Sequence, residues 1–200
     1  MAYDTKLIAG KLRRWEKYLL AYRLPAWDTI PDIGLYMEQV IDLLKGYLDY
    51  MPPELKEEQI ITGAAINNYV RRGYLPMPVK KRYYRIHIAH LIMICTLKQS
   101  LSISMIRQML PAADDEALVR RAYESYAARH AMTTTYFASE IRKLSATLLD
   151  HDDVPETAVS SPEELIAFSA ILAGFSRLFA EKLLLLDDKD LKTGGSIEVN

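Results

Sequence analysis

The chain has 200 residues, half of them apolar and 26% charged, with a formal net charge of −1. This is the composition of an ordinary soluble globular protein with enough length for a buried core, and the whole-chain charge alone gives no reason to invoke nucleic acid. Cys95 is the sole cysteine; it excludes an intrachain disulfide and, lying in the apolar run LIMIC, reads as a buried thiol in a reducing cytoplasm. The N-terminus has charges scattered through it and lacks the apolar core of a signal peptide. The longest apolar segment, Leu165 to Leu186, is interrupted by Arg177, Glu181 and Lys182 and is too charged to span a bilayer. A cytoplasmic protein with no membrane partner is therefore expected.

Asp4 to about Arg23 has helical spacing, with Leu7, Ile8, Leu12, Trp15, Leu19 and Tyr22 near one face and Asp4 as N-cap. A connection through Trp27 and Pro31 leads to a second helical pattern of Leu35, Tyr36, Val40, Leu43, Leu44, Tyr47 and Leu48. Asp32 is placed to cap it, and Met51-Pro52-Pro53 to stop it. After a polar connection, Glu54 to Gln59, Thr62 is the best N-cap for a short helix ending at Arg72. Ile66, Tyr69 and Val70 form its buried stripe, which leaves Asn67, Asn68, Arg71 and Arg72 outward. Gly73 supplies the left-handed stop, and Leu75-Pro76-Met77-Pro78 cannot continue a helix. Val79 to Tyr84 is short and β-leaning.

Helix is expected again from Arg85 to about Leu97, with Ile86, Ala89, His90, Met93, Ile94 and Leu97 inward. A brief helix follows, capped by Ser102 and carrying Ile103, Ile106, Met109 and Leu110. A longer one runs from about Asp115 to Leu149, with Leu118, Ala122, Tyr126, Phe137, Ile141, Leu144 and Leu148 as core candidates. Its middle, HAMTTTY, is a weak helix former where a kink or break is expected. The last helix has the strongest start signal. Ser161 stands at N-cap, Pro162 at N1 and Glu164 at N3, which together make a capping box. Its Leu165, Phe168, Leu172, Phe175, Phe179 and Leu186 form a seam suited to burial against another helix, of this chain or of a partner. The tail from residue 187 reads as frayed.

Charge is distributed unevenly along this frame. Between Gln59 and Ala113 there are eight Lys/Arg and not one Asp or Glu, so the remainder carries −9. Asn bonds adenine, and Arg bonds guanine, through two atoms at once. Asn67, Asn68, Arg71 and Arg72 offer both chemistries on adjacent turns. Lys80, Lys81, Arg82 and Arg85 suit phosphates, which position a protein without reading sequence. Tyr83 can pack its ring beneath the basic segment with its hydroxyl near the DNA backbone. The duller reading of such a face is a solvated surface, or a helical interaction module that meets an acidic partner or the acidic remainder of the chain.

Catalysis has little support, since there is no P-loop and no Gly-rich dinucleotide turn. His87 and His90 lie three apart on one helix, whereas His130 and His151 are distant, so neither a metal site nor a cofactor is expected. Asp114-Asp115-Glu116 and Asp150-His151-Asp152-Asp153 fall at helix ends, where capping explains them.

INNYVRRGYLP resembles the second helix and following turn of MerR-type winged helix-turn-helix proteins. KRYYRIHIAHLIMICTLKQSLSISMIRQML resembles their wing strand and the helix pair after it, with Lys81 and Tyr83 at the basic-x-Tyr that ends the wing. More closely, IPDIGLYMEQV, INNYVRRGYLPMPVKKRYY and LKQSLSI are similar to an uncharacterised bacterial family catalogued as a domain of unknown function, over about Leu24 to Leu110. Three features depart from the MerR pattern. A Pro-Pro connection separates the first helix from the second, no Asn-Gly turn lies between Pro78 and Tyr83, and Tyr84 stands where a Ser or Thr caps the next helix.

The resemblance implies a DNA-binding transcription regulator of mainly α fold. Its second helix would enter the major groove of double-stranded DNA, and a small two-stranded wing would rest on phosphates. The residues expected to touch DNA are Thr62, Asn67, Asn68, Arg71, Arg72, Lys80, Lys81, Arg82, Tyr83 and Arg85. The expected organisation is an N-terminal helix (1–24), the DNA-binding domain (25–112), a C-terminal helical region for packing or homodimerisation (113–186) and a flexible tail (187–200). Operator and effector are left open.

Overall fold

A computed structural model describes residues 4–50, 61–111 and 115–185, and at residue 182 the backbone alone. The described residues form α1 (Thr5–Ala21), a 3-10 turn (Trp27–Thr29), α2 (Met37–Tyr47), α3 (Gly63–Arg71), α4 (Arg85–Leu97), α5 (Ile103–Met109), α6 (Glu116–Leu144) and α7 (Pro162–Leu184). The fold is mainly helical. Among the described residues there is no strand, and the expected two-stranded wing is reduced to two isolated antiparallel bridges, Val79 with Arg82 and Leu35 with Tyr83. The Pro-Pro stop, the Glu54–Gln59 connection, Asp114, Leu186 and the tail lie outside the described residues.

α4 is the centre of the molecule. Every residue from His87 to Cys95 is buried, so the one-sided stripe expected from its sequence gives way to a helix covered all round, as its near-continuous apolar run requires. It is packed by α2, α5 and α6, and one cluster joins it to Ile30, Val40, Leu44, Ile66, Tyr83, Ile106, Val119 and Tyr123. Each such Leu, Ile or Val contributes about 1.5–3 kcal/mol by leaving water. The core thus continues past residue 112 into α6. Two polar pins reinforce that join, because the Tyr123 hydroxyl donates to the Pro25 carbonyl at 2.7 Å and the Tyr126 and Thr96 hydroxyls meet at 2.5 Å.

Caps behave as their residue types dictate. Asp4, Thr62, Ser102 and Ser161 accept from Leu7, Ala65, Met105 and Glu164 N–H groups at 3.0, 3.0, 3.4 and 3.2 Å. Asp32 departs from expectation. α2 starts only at Met37, since Leu35 exchanges two 2.8 Å backbone bonds with Tyr83. Asp32 instead accepts from the Arg85 N–H at 3.2 Å, supplying from a distance the cap that Tyr84 lacks.

Three further expectations are corrected. α6 runs unbroken through HAMTTTY, where Thr134 and Thr135 turn their hydroxyls onto the His130 and Ala131 carbonyls at 2.8 and 3.1 Å. That back-bonding satisfies the hydroxyls inside the helix. The buried face of α6 keeps the expected Ile141 and Leu144 but otherwise runs through Val119, Tyr123 and Ala138, while Leu118 is exposed. In α1 the buried residues are Ala9 and Leu19, while Leu7 and Trp15 are exposed. Among the described residues, no helix is long and apolar enough to cross a membrane.

Candidate nucleic-acid interface

α3 is built as its sequence reads. Ile66 and Tyr69 are buried and Thr62 spends its hydroxyl on the cap. At about 100° per residue, Asn67, Asn68, Arg71 and Arg72 fall within roughly 140° of one another on the opposite side. Asn67, Arg71 and Arg72 are exposed and Asn68 is half-buried. The Arg71 guanidinium donates to the Asn68 side-chain oxygen at 2.8 Å, which orders both groups on the surface. Gly73 ends the helix at φ +69°, a conformation that favours glycine.

Val79 to Arg82 closes a two-residue hairpin. Each end donates to the other's carbonyl, at 3.1 and 3.0 Å. Its central residues, Lys80 and Lys81, have φ of +50° and +62°. Positive φ at both positions is the signature of a type I′ turn, the connection that suits strand twist and that Asn-Gly usually fills. Two lysines hold the place instead, at a cost of roughly 1–2 kcal/mol each. Both are exposed.

The other basic residues of this segment are taken up by the fold. Arg82 donates to the Gly34 carbonyl at 3.0 Å and the Tyr36 hydroxyl at 2.8 Å, with its guanidinium 4.3 Å from the Tyr36 ring centre. Gly34, at φ +26°, leaves no room for a Cβ, which would lie 3.0 Å from both Arg82 Cδ and the Tyr84 hydroxyl. Arg85 donates to the Ile30 carbonyl at 2.8 Å and lies 4.0 Å from an Asp28 carboxylate oxygen. Tyr83 is buried against His87, edge to face at 5.5 Å, so it supports the hairpin from beneath and its ring is withdrawn from the surface. Arg107 is a residue that sequence reading missed. Its guanidinium donates to the Gly73 carbonyl and sits over the Tyr74 ring at 5.3 Å, tying α5 to the end of α3. No local signal connects positions so far apart.

The remaining cations, Arg71, Arg72, Lys80 and Lys81, make no ion pair among the described residues. Around them several helix starts come together. A Cβ on Gly63, at the head of α3, would lie 3.4 Å from Met37 at the head of α2, and the residues just before α2 and α4 flank the hairpin base. Helix starts carry partial positive charge, which favours anions. The α2 and α3 heads meeting in this way also differ from a tight helix-turn-helix, where the tail of one helix adjoins the head of the next.

Buried histidines lie beneath this surface. The Tyr84 N–H donates to His87 Nδ1 at 3.0 Å, so that nitrogen must be unprotonated. His90 Nδ1 lies 2.9 Å from the Ile86 carbonyl. Burial pushes the pKa of His87, His90 and His130 below the ordinary imidazole range. Cys95 is buried and free, its thiol pushed up to about 12 by the same cause. Elsewhere an open cleft of about 670 Å³ gathers Arg142, Lys143, Asp150, His151, Asp152 and Asp153. Among the described residues, no group of His, Cys, Asp and Glu is arranged to hold a metal ion.

A family model described as a domain of unknown function, DUF1836, matches residues 25–127. No curated protein and no solved structure matches the chain. The matched span holds the 3-10 turn, α2 to α5 and the part of α6 that carries Val119, Tyr123 and Tyr126, so it coincides with the main core and the basic surface on it. With half its length matched in this way, the chain belongs to the DUF1836 family.

Proposed function

We propose that this protein is a DNA-binding transcription regulator of MerR-like winged helix-turn-helix type, cytoplasmic and homodimeric. In this reading α3 enters the major groove and the Val79–Arg82 hairpin is a minimal wing over adjacent phosphates. Asn67, Asn68, Arg71 and Arg72 read base edges. Lys80 and Lys81 hold the backbone, while Arg82, Tyr83 and Arg85 fix the hairpin in place. The single observation that carries the reading is that the exposed cations of α3 and the hairpin tip have no acidic partner among the described residues, whereas the cations beside them are tied to the fold. The intrachain version of the interaction-module reading needs Arg71 and Arg72 paired with carboxylates, and it finds no such pairing among those residues.

The direct test is a gel shift on duplex DNA from the protein's own promoter region. Arg71→Ala combined with Arg72→Ala should abolish the shifted band while the circular dichroism spectrum stays that of the parent, because both side chains are exposed. Unchanged affinity would remove α3 from the groove and sink the assignment.

A further inference from the structure

The polar side chains that α3 offers to base edges do not all point the same way. Ile66 and Tyr69 are the buried residues of the helix. At about 100° per residue, the direction opposite their midpoint falls roughly 10° from Arg71, about 50° from Asn67 and Asn68, and about 90° from Arg72. Arg71 therefore points most squarely away from the core, and Arg72 stands at the flank. Long side chains on a helix lean toward its N-terminus, over the preceding turn. That lean carries the Arg71 guanidinium to Asn68, whose side-chain oxygen accepts from Arg71 Nη2 at 2.8 Å.

This bond fixes the chemistry of both partners. A guanidinium has donors and no acceptor, so Asn68 must turn its oxygen toward Arg71, and its amide nitrogen faces the other way. An asparagine reads adenine by accepting from the N6 amino group and donating to N7 at once. At Asn68 the adenine amino group would have to share an oxygen that already holds a cation's N–H. Asn68 is also half-buried, whereas Arg71 is exposed. Arg71 loses little by the bond. Nη2 contributes one hydrogen to each fork of the guanidinium, so one complete fork stays free.

We infer that Asn68 and Arg71 act as one recognition unit for guanine, with Arg71 reading the base and Asn68 positioning Arg71. The major-groove edge of guanine carries two acceptors, N7 and O6, which the free fork matches and which the amino group of adenine would break. Holding the guanidinium in place before DNA arrives removes part of its ordering cost, an effect of up to roughly tenfold in affinity. The guanine unit rests on the DNA-binding reading and refines it, because Asn68 passes from reading adenine to orienting an arginine. The exposed Asn67 is then the amide of α3 left for adenine.

The test works at the level of single base atoms. The purified full chain selects binders from a randomised duplex pool, and each selected guanine is replaced in turn by one of two analogues. 7-Deazaguanine lacks the N7 acceptor, while inosine keeps N7 and O6 and lacks only the minor-groove amino group. At one guanine, 7-deazaguanine should weaken the parent chain about tenfold and inosine should leave it unchanged. Arg71→Ala should bind more weakly and show no response to 7-deazaguanine there. Asn68→Ala, with Arg71 intact, should lose most of that response and keep the responses at other positions, with the circular dichroism spectrum of the parent. A general structural role for Asn68 would instead weaken every duplex alike. Full 7-deazaguanine sensitivity in either variant overturns the inference, as does an Asn68→Ala chain whose only change is a lost preference for adenine. A chain that binds duplex DNA without sequence preference overturns the inference alone. One that binds no duplex overturns the DNA-binding reading with it.

Discussion

α4 and α7 are the two most apolar helices of the chain and have opposite fates. α4 is sealed from His87 to Cys95 by α2, α5 and α6, while α7 leaves two phenylalanines, two isoleucines and a leucine more than half open. Apolar content alone does not say which helix will be the core. What separates them is neighbours: α4 lies between its partners in sequence, α2 before it and α5 and α6 after it, whereas α7 comes last. α7 is held to its own chain chiefly near its two ends, by Leu165 and Leu184, with the small Ser169 and Ala180 between them.

The largest expected effect sharpens that contrast. Ile92→Ala, at a fully buried position of α4, should cost about 2–5 kcal/mol, from lost transfer energy and the cavity left behind. Phe175→Ala removes a larger side chain from α7, yet the monomer should change by no more than about 0.5 kcal/mol, as at other exposed positions. Urea unfolding of both variants checks this. A comparable loss in the two would mean that α7 is packed by its own chain after all.

Acid should attack the same contrast from the other side, because α4 carries two buried histidines and α7 carries none. His87 and His90 titrate below the ordinary value of 6.5 in the folded chain, from burial. The sign follows from linkage. Between the lowered folded value and 6.5 the unfolded chain binds more protons, so the stability these histidines contribute is complete above 6.5 and is lost as pH falls through the folded value. The urea midpoint should therefore drop between pH 7 and pH 5. His90→Met keeps the volume and removes one titrating group, whose Nε2 has no hydrogen-bond partner, so its midpoint should fall less over the same range. An equal fall in both chains would place the acid sensitivity elsewhere.

The two regions also differ in how much the sequence disclosed. The α3 surface was legible because its determinants are local: a Thr62 cap three residues from its donor, a stripe at helical spacing and a glycine stop. The seam of α7 was read as buried against another helix, whereas in the single chain Leu165 is buried and Phe168, Leu172, Phe175 and Phe179 are exposed. The fates of Arg82, Arg85 and Arg107 were not legible. Their acceptors at Gly34, Ile30 and Gly73 lie 48, 55 and 34 residues away, and no periodicity encodes a pairing at that distance. Asp32 was read as the cap of the nearer helix for the same reason. In α6 the expected Ile141 and Leu144 are buried, but the stripe in its first half was misplaced at Leu118, because a long helix offers overlapping stripes and burial against α4 selects the one through Val119 and Tyr123.

The smallest expected effect bears most directly on the basic surface. Nothing in the residues Lys80 and Lys81 favours a primed turn; positive φ is imposed on them by the closure of Val79 on Arg82 and by the pairing of Tyr83 with Leu35. Replacing them by the pair that the turn prefers, Lys80→Asn with Lys81→Gly, should stabilise the fold by roughly 1 kcal/mol or more. If the lysines hold phosphates, the same variant should bind duplex DNA more weakly. Its salt-dependence slope should then be shallower by about 2, since each phosphate neutralised by a lysine adds about 0.9 to that slope. Higher stability together with weaker binding would mark strain retained at a working surface. Higher stability with unchanged binding would leave the lysines as solvent-facing residues and confine recognition to α3.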